Sequence, residues 1–366
     1  MADSASAAKS GGWMMSRREN ISFWKAALIR IAAVALGLIV CAVVIVLLTG
    51  MNPIAVYGGI VSGAVGSTRR LWVTIRDTMF LLVIAIGLAP AFRMRFWNIG
   101  AEGQVLAGAV LTAAIMIHYG DTIPAWILFP VLFLTSAAAG AVWGMIPAFF
   151  KAHWGTNETL FTLMMNYVAS QIVNYCIILW ENPAGSNKVG TINRATKAGW
   201  LPKLFGSDYG WIVIIVMAFA VLMFFYLRRT KHGYEIAVVG ESENTARYAG
   251  INVRKVIIRT MALSGAICGI AGFLIVAGSS HTISTSTAGG RGFTAIIVAW
   301  MSKFNTFWML LVSFFLVFMQ NGTIQIASQF NLSENIGDII TGILLFFIIG
   351  SDFFITYRLH RSAAEA

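Results

Sequence analysis

"AALIRIAAVALGLIVCAVVIVLLT", residues 26–49, carries a single charge, Arg30. A helix of that length reaches about 36 Å at 1.5 Å per residue, enough to cross a hydrocarbon core about 30 Å thick. Comparable runs recur along the whole chain, at 72–92, 98–118, 124–149, 158–180, 210–227, 259–278, 306–327 and 335–350. A shorter one lies at 292–302. Composition points the same way: 58% of the 366 residues are hydrophobic and 11% charged, against about 25% charged in soluble domains. The expected fold is an all-α integral membrane protein with about ten transmembrane helices, one of them short or broken. The run at 26–49 is too long for a signal-peptide core and lacks a small-residue cleavage site, so it reads as a retained first span.

The net charge is +11, which in a soluble protein would point to nucleic acid. Here the basic residues sit in short connections between apolar runs, so the expected partner is a lipid bilayer and not nucleic acid. With a cytoplasmic N-terminus, the inner segments collect 18 of the 26 Lys and Arg, and the positive-inside rule then places both termini in the cytoplasm. This divides the chain into a cytoplasmic tail (1–25), a transmembrane domain (26–350) and a second cytoplasmic tail (351–366). Two connections are long: 181–209, expected outside, and 228–258, expected inside. The inner one spaces Ile236, Val239, Ala246 and Ala249 as a short amphipathic helix would.

The segment "STSTAGGRGFTAIIVAWMS", 284–302, sets a Gly-rich stretch before about eleven apolar residues. A helix of that length reaches only about 16 Å, so it reads as a half-helix. Non-helical backbone at membrane depth requires cover by protein or by a water-filled cavity.

Polar residues inside apolar runs are the candidates for a solute path. In "RFWNIGAEGQVLAG", 95–108, a helix starting at Asn98 aligns Gly100, Gly103 and Ala107 on one side, with Asn98 and Glu102 on roughly the opposite one; Gln104 is a further polar candidate in the same run. Two readings of Glu102 stay open: it caps its own helix and pairs with Arg93 or Arg95, or it contacts a solute. In "GTNETLFTLMMNYVAS", 155–170, Glu158, Thr162 and Asn166 share one helix face. Asn157 or Thr156 caps that helix, whereas Asn166 lies too far in for capping. Gln320, with Asn321 and Gln325, marks either a path or a span end. The three cysteines (Cys41, Cys176, Cys268) stand singly in apolar runs as packing residues.

No G-x-x-x-x-G-K-[ST], H-E-x-x-H or G-x-S-x-G occurs, so neither nucleotide hydrolysis nor hydrolase chemistry is expected in this chain. No metal site is expected either, since the five histidines are dispersed.

Four phrases in order, "FRMRFWNIGAEGQVLAGA", "GTNETLFTLMMNYVA", "ENTARYAGINVRKVIIRTMALSGAICGIAGFLIVAG" and "GRGFTAIIVAW", resemble the permease subunits of ABC importers of the branched-chain amino acid and simple-sugar group, in the nucleoside-type form. The resemblance implies several partners: a second homologous permease, ABC ATPase subunits that bind the ATP and Mg, and an extracytoplasmic substrate-binding lipoprotein. It implies a coupling helix near Glu241–Gly250, with Glu241, Glu243, Ala246, Arg247 and Gly250 meeting the ATPase, and a bacterial cytoplasmic membrane location. One departure stands out: after "IIVAW" the chain continues "MSKFNTFW" where the family usually turns at Gly, Asn or Pro. A simple sugar or another small polar metabolite is the alternative cargo. A stand-alone secondary transporter would need coupling acids deep in the bundle, whereas most acids here lie near span ends.

Overall fold

The computed structural model describes residues 13–17, 22–204, 206–330 and 334–361. Among them, nine helices are long and apolar enough to cross a membrane. The chain forms two compact units, Met1–Gly66 with Phe318–Ala366, and Ser67–Val317.

In the first unit, α1 (Phe23–Thr49) packs along α13 (Glu334–Thr356). Gly37 leaves room for Leu344 and Phe347, and the Cys41 thiol points at the Ile340 carbonyl. Helix α2 (Pro53–Val65) was not among the expected spans; at 13 residues it is too short to cross. Its start is nevertheless written locally: Asn52 accepts the Ile54 N–H and Pro53 takes the first helical position, where a missing N–H is harmless. Gly59 and Gly63 let α2 approach Ile326 and Gln325 on the last turns of α12 (Thr306–Phe330). Among the described residues, β1 (Trp13–Arg17) and β2 (Tyr357–Arg361) add a short antiparallel ladder to the helical expectation.

The second unit holds α3 (Thr68–Arg93), α4 (Ala101–Tyr119), α5 (Ala125–Trp154), α6 (Glu158–Trp180), α7 (Gly210–Arg229), α8 (Lys231–Glu241), α9 (Glu243–Tyr248), α10 (Val253–Ile275) and α11 (Arg291–Met301). Its centre is α10, enclosed by α3, α4 and α5. Lipid tails are as apolar as leucine, so helices in a bilayer associate by close packing, which favours small residues at the contact. A Cβ on Gly108 of α4 would strike the backbone of Gly269. One on Gly140 of α5 would strike the Gly265 carbonyl, and one on Gly272 would strike the Val105 carbonyl. These glycines let three backbones touch.

The short span expected at 292–302 is α11, 11 residues long. The inner connection, expected to hold one amphipathic helix, holds two, α8 and α9. The expectation that span 3 is helical from Asn98 is corrected: α4 starts at Ala101, and residues 96–99 are non-helical. The reason is tertiary, as the surroundings of that segment make plain.

Candidate functional site

Between the end of α3 and the start of α4 the backbone runs non-helically through buried surroundings; Phe96, Asn98 and Gly100 are all buried. Every freed polar group there needs a partner. The Ile99 N–H donates to Thr162 Oγ1 (3.1 Å), and Asn166 Nδ2 donates to the Ile99 carbonyl (2.9 Å). Asn166 Oδ1 accepts the Gly103 N–H at 2.8 Å. Asn98 Oδ1 accepts the Gly100 N–H and Gln104 Nε2, while its amide donates to Ser264 Oγ at 3.2 Å. Four of the residues singled out as a possible path, Asn98, Gln104, Thr162 and Asn166, are thus brought together, each under 10% exposed. Their polar atoms are used on one another and on the broken backbone.

Depth follows from helix rise. Asn166 lies eight residues beyond Glu158, about 12 Å along α6. The start of α4 is therefore level with the third turn of α6 and well inside the bundle. Glu158 stays at the end of α6, paired with Lys151 at 2.8 Å, and Asn157 caps the helix through the Leu160 N–H. Gln320 is exposed on α12 and belongs to the other unit.

Glu102 does not pair with Arg93 or Arg95. Its two oxygens accept the backbone N–H groups of Gly290 (2.7 Å) and Gly292 (2.8 Å), at the start of α11. The acid sits in the first turn of its own helix and also caps a second one 190 residues away, where two helix dipoles favour negative charge. Gly290 adopts φ +73°, a left-handed conformation natural to glycine. At Gly292 a Cβ would lie 2.6 Å from the Glu102 nitrogen. Arg93 instead donates to the Leu227 carbonyl at 3.1 Å.

Beside this clasp lies a charge network that sequence reasoning missed. Arg291 reaches Asp77 at 3.4 Å, Asp77 also accepts Arg76, and Arg76 donates to the Tyr209 hydroxyl at 3.3 Å. Asp77 is only 8% exposed. Two adjacent charges inside an apolar run were the available signal, since intramembrane charges need partners. At the far end of α11, Trp300 stacks on Trp97 with ring centroids 5.3 Å apart, and Phe92 meets both edge-on. Helix α11 is thus pinned at both ends, by charge at its start and by aromatic packing at its finish.

Helix α8 lies under the ends of α3, α7 and α10. A Cβ on Gly240 would strike the Arg93 carbonyl. His232, 5% exposed, lies 2.6 Å from the Tyr226 hydroxyl through Nδ1 and 3.3 Å from Thr260 Oγ1 through Nε2. Burial, aided by the positive charge of Arg259, holds the His232 imidazole below its ordinary pKa. Helix α9 follows at once, capped by Ser242 through the Thr245 N–H. Ala246 is buried, while Glu241, Glu243 and Arg247 are exposed, the last two paired at 3.3 Å. Gly250 ends the turn at φ +76°. Tyr248 is 94% exposed, the most exposed large apolar side chain among the described residues.

Helix starts that meet inside a membrane bundle, held by buried amides and one carboxylate, define a membrane permease. Residues 70–349 match the model of the branched-chain amino acid transport system / permease component family, and the chain belongs to that family. It is 30% identical over 332 residues to the guanosine ABC transporter permease protein NupP of Bacillus subtilis, covering 88% of this chain and 93% of that one. It is 27% identical over 330 residues to the nucleoside ABC transporter permease protein NupB of Lactococcus lactis, covering 88% and 90%. It is also 27% identical over 352 residues to the glucose ABC transporter permease protein TsgB13 of Haloferax volcanii, covering 93% and 92%. No solved structure matches the chain.

Proposed function

We propose that this chain is the membrane-spanning permease subunit of an ATP-driven ABC importer and passes nucleosides across a bacterial cytoplasmic membrane by alternating access. The observation that carries the reading is the clasp of Glu102 on the start of α11, an element that a permease can release and remake, in a chain whose relatives include named guanosine and nucleoside permeases. Asn98, Gln104, Thr162 and Asn166 hold the broken backbone before α4 in register behind the path. Glu158 secures the start of α6 and Glu102 sets the gate. The chain performs no hydrolysis. ATP and Mg are bound by separate ATPase subunits, and a second homologous permease and an extracytoplasmic binding lipoprotein complete the assembly.

Helix α9 is the coupling element. Glu241, Glu243, Arg247 and Tyr248 face the ATPase, while buried Ala246 and the turn at Gly250 seat the helix on the permease. Closure of the ATPases pushes α9, and α8 passes the push to α3 and α10 through Gly240 and His232.

The glucose permease of Haloferax volcanii, which aligns over 93% of this chain, supports a second reading in which the cargo is a simple sugar. Uptake of labelled guanosine and labelled glucose separates the two, in a strain lacking this gene and in the same strain with the gene restored. Restored guanosine uptake supports the first reading; glucose uptake alone overturns it.

A further inference from the structure

Helix α6 packs only its Thr162–Asn166–Ala169–Val173 side against the unit; the opposite side is open. On that open side Tyr167, Gln171 and Asn174 fall at i, i+4 and i+7, within about 60° of arc, with Tyr175 beside them. Tyr167 is 61% exposed and Tyr175 63%, and Gln171 and Asn174 are exposed too. Among the described residues the two amides bond only to each other, Asn174 Nδ2 to Gln171 Oε1 at 3.4 Å.

Their depth excludes an interfacial explanation. Tyr167 lies about 14 Å and Asn174 about 24 Å along a helix about 34 Å long, so the stripe occupies its middle. Leu160 and Met164 flank it on one side, Ile178 and Leu179 on the other. The outward faces of other spans carry hydrocarbon at the same depth: Leu134 and Val142 on α5, Val221 and Leu222 on α7. Amides that face acyl chains with most of their hydrogen-bonding capacity unused are expensive, so polar side chains at mid-span face protein or water.

We infer that the Tyr167–Gln171–Asn174 face of α6 lines the water-filled solute path, and that these side chains contact the passing solute. Side-chain amides match the donor–acceptor pairs on a nucleobase edge, and tyrosine rings stack on its planar face. This deepens the nucleoside reading above and rests on it for the solute class; the aqueous lining itself does not.

The test uses the full chain in its native membrane with its partner subunits. Gln171→Cys and Asn174→Cys are made singly, with Leu134→Cys and Leu222→Cys as lipid-facing controls; the native Cys41, Cys176 and Cys268 are buried. A membrane-impermeant thiol reagent should label positions 171 and 174 at least about tenfold faster than the controls, and saturating guanosine should slow that labelling. Gln171→Leu with Asn174→Leu should raise the KM for guanosine uptake about tenfold or more at unchanged membrane abundance. Labelling no faster than at Leu134, disulfide cross-linking of positions 171 or 174 to a neighbouring subunit without labelling, or wild-type uptake in the double Leu variant would each overturn the inference. Absence of guanosine uptake in the wild type would instead sink the nucleoside reading, because fast aqueous labelling needs no solute.

Discussion

The Glu102 carboxylate lies 2.8 Å from the Gly292 nitrogen, so a side chain in the first turn of α4 caps the start of α11. Two helix starts are thereby tied at one carboxylate.

Glu102→Gln keeps the size of the side chain but turns one acceptor into a donor facing a backbone N–H. Two charge-assisted hydrogen bonds weaken together, a local loss of about 1–3 kcal/mol. Uptake should fall at least about tenfold while membrane abundance and docking of the binding protein stay unchanged. Unchanged uptake would remove the gate role from Glu102.

Asn166 serves both sides of the break at once, donating to Ile99 and accepting from Gly103. Asn166→Leu strands the buried Gly103 N–H and the half-buried Ile99 carbonyl and should destabilise the protein by about 2–4 kcal/mol. Asn166→Asp keeps the acceptor and should fall between. Thermal unfolding of the detergent-purified protein reads the order: wild type, then Asp, then Leu.

Gly265 admits the Gly140 carbonyl where a Cβ would stand, whereas Gly342 of α13 has open space there. Gly265→Ala should destabilise by about 1–3 kcal/mol through overpacking, backbone against backbone. Gly342→Ala should be neutral or stabilising by up to about 1 kcal/mol from helix propensity. Equal unfolding temperatures for the two variants would argue against the three-helix seam.

How much of this was legible in the chain divides along the reach of the interactions. Apolar spans announce themselves because bilayer thickness sets their length, and the half-helix at α11 was visible because it is too short. The start of α4 was not, because its broken backbone is held by Thr162 and Asn166, and Glu102 finds its partners 188 and 190 residues away. On α6 polar residues occupy two faces, and periodicity alone could not say that Thr162 and Asn166 turn inward while Gln171 and Asn174 turn outward. Packing against α4 decides it. Arg76 and Asp77 were readable as intramembrane charges, but their partners Arg291 and Tyr209 were not.

His232 gives α8 a pH dependence. Its folded pKa lies below the ordinary value of about 6.5, so the unfolded chain binds the proton first as pH falls. The stability that neutral His232 confers is complete above about pH 6.5 and is lost progressively as pH drops towards the folded value. Thermal unfolding scanned from pH 7.5 to 5 should show that decline, and His232→Gln should flatten it. An unchanged slope in the variant would show that other groups carry the effect.

The central claim is that the chain is a conduit without an engine of its own, driven through α9. It is tested most directly by reconstituting the chain in vesicles, alone and with its ATPases, second permease and binding lipoprotein, and measuring labelled guanosine accumulation. The account predicts uphill uptake only in the complete assembly and only with ATP, lost when Arg247→Glu is introduced on α9. Uphill uptake by the chain alone under an ion gradient would contradict it.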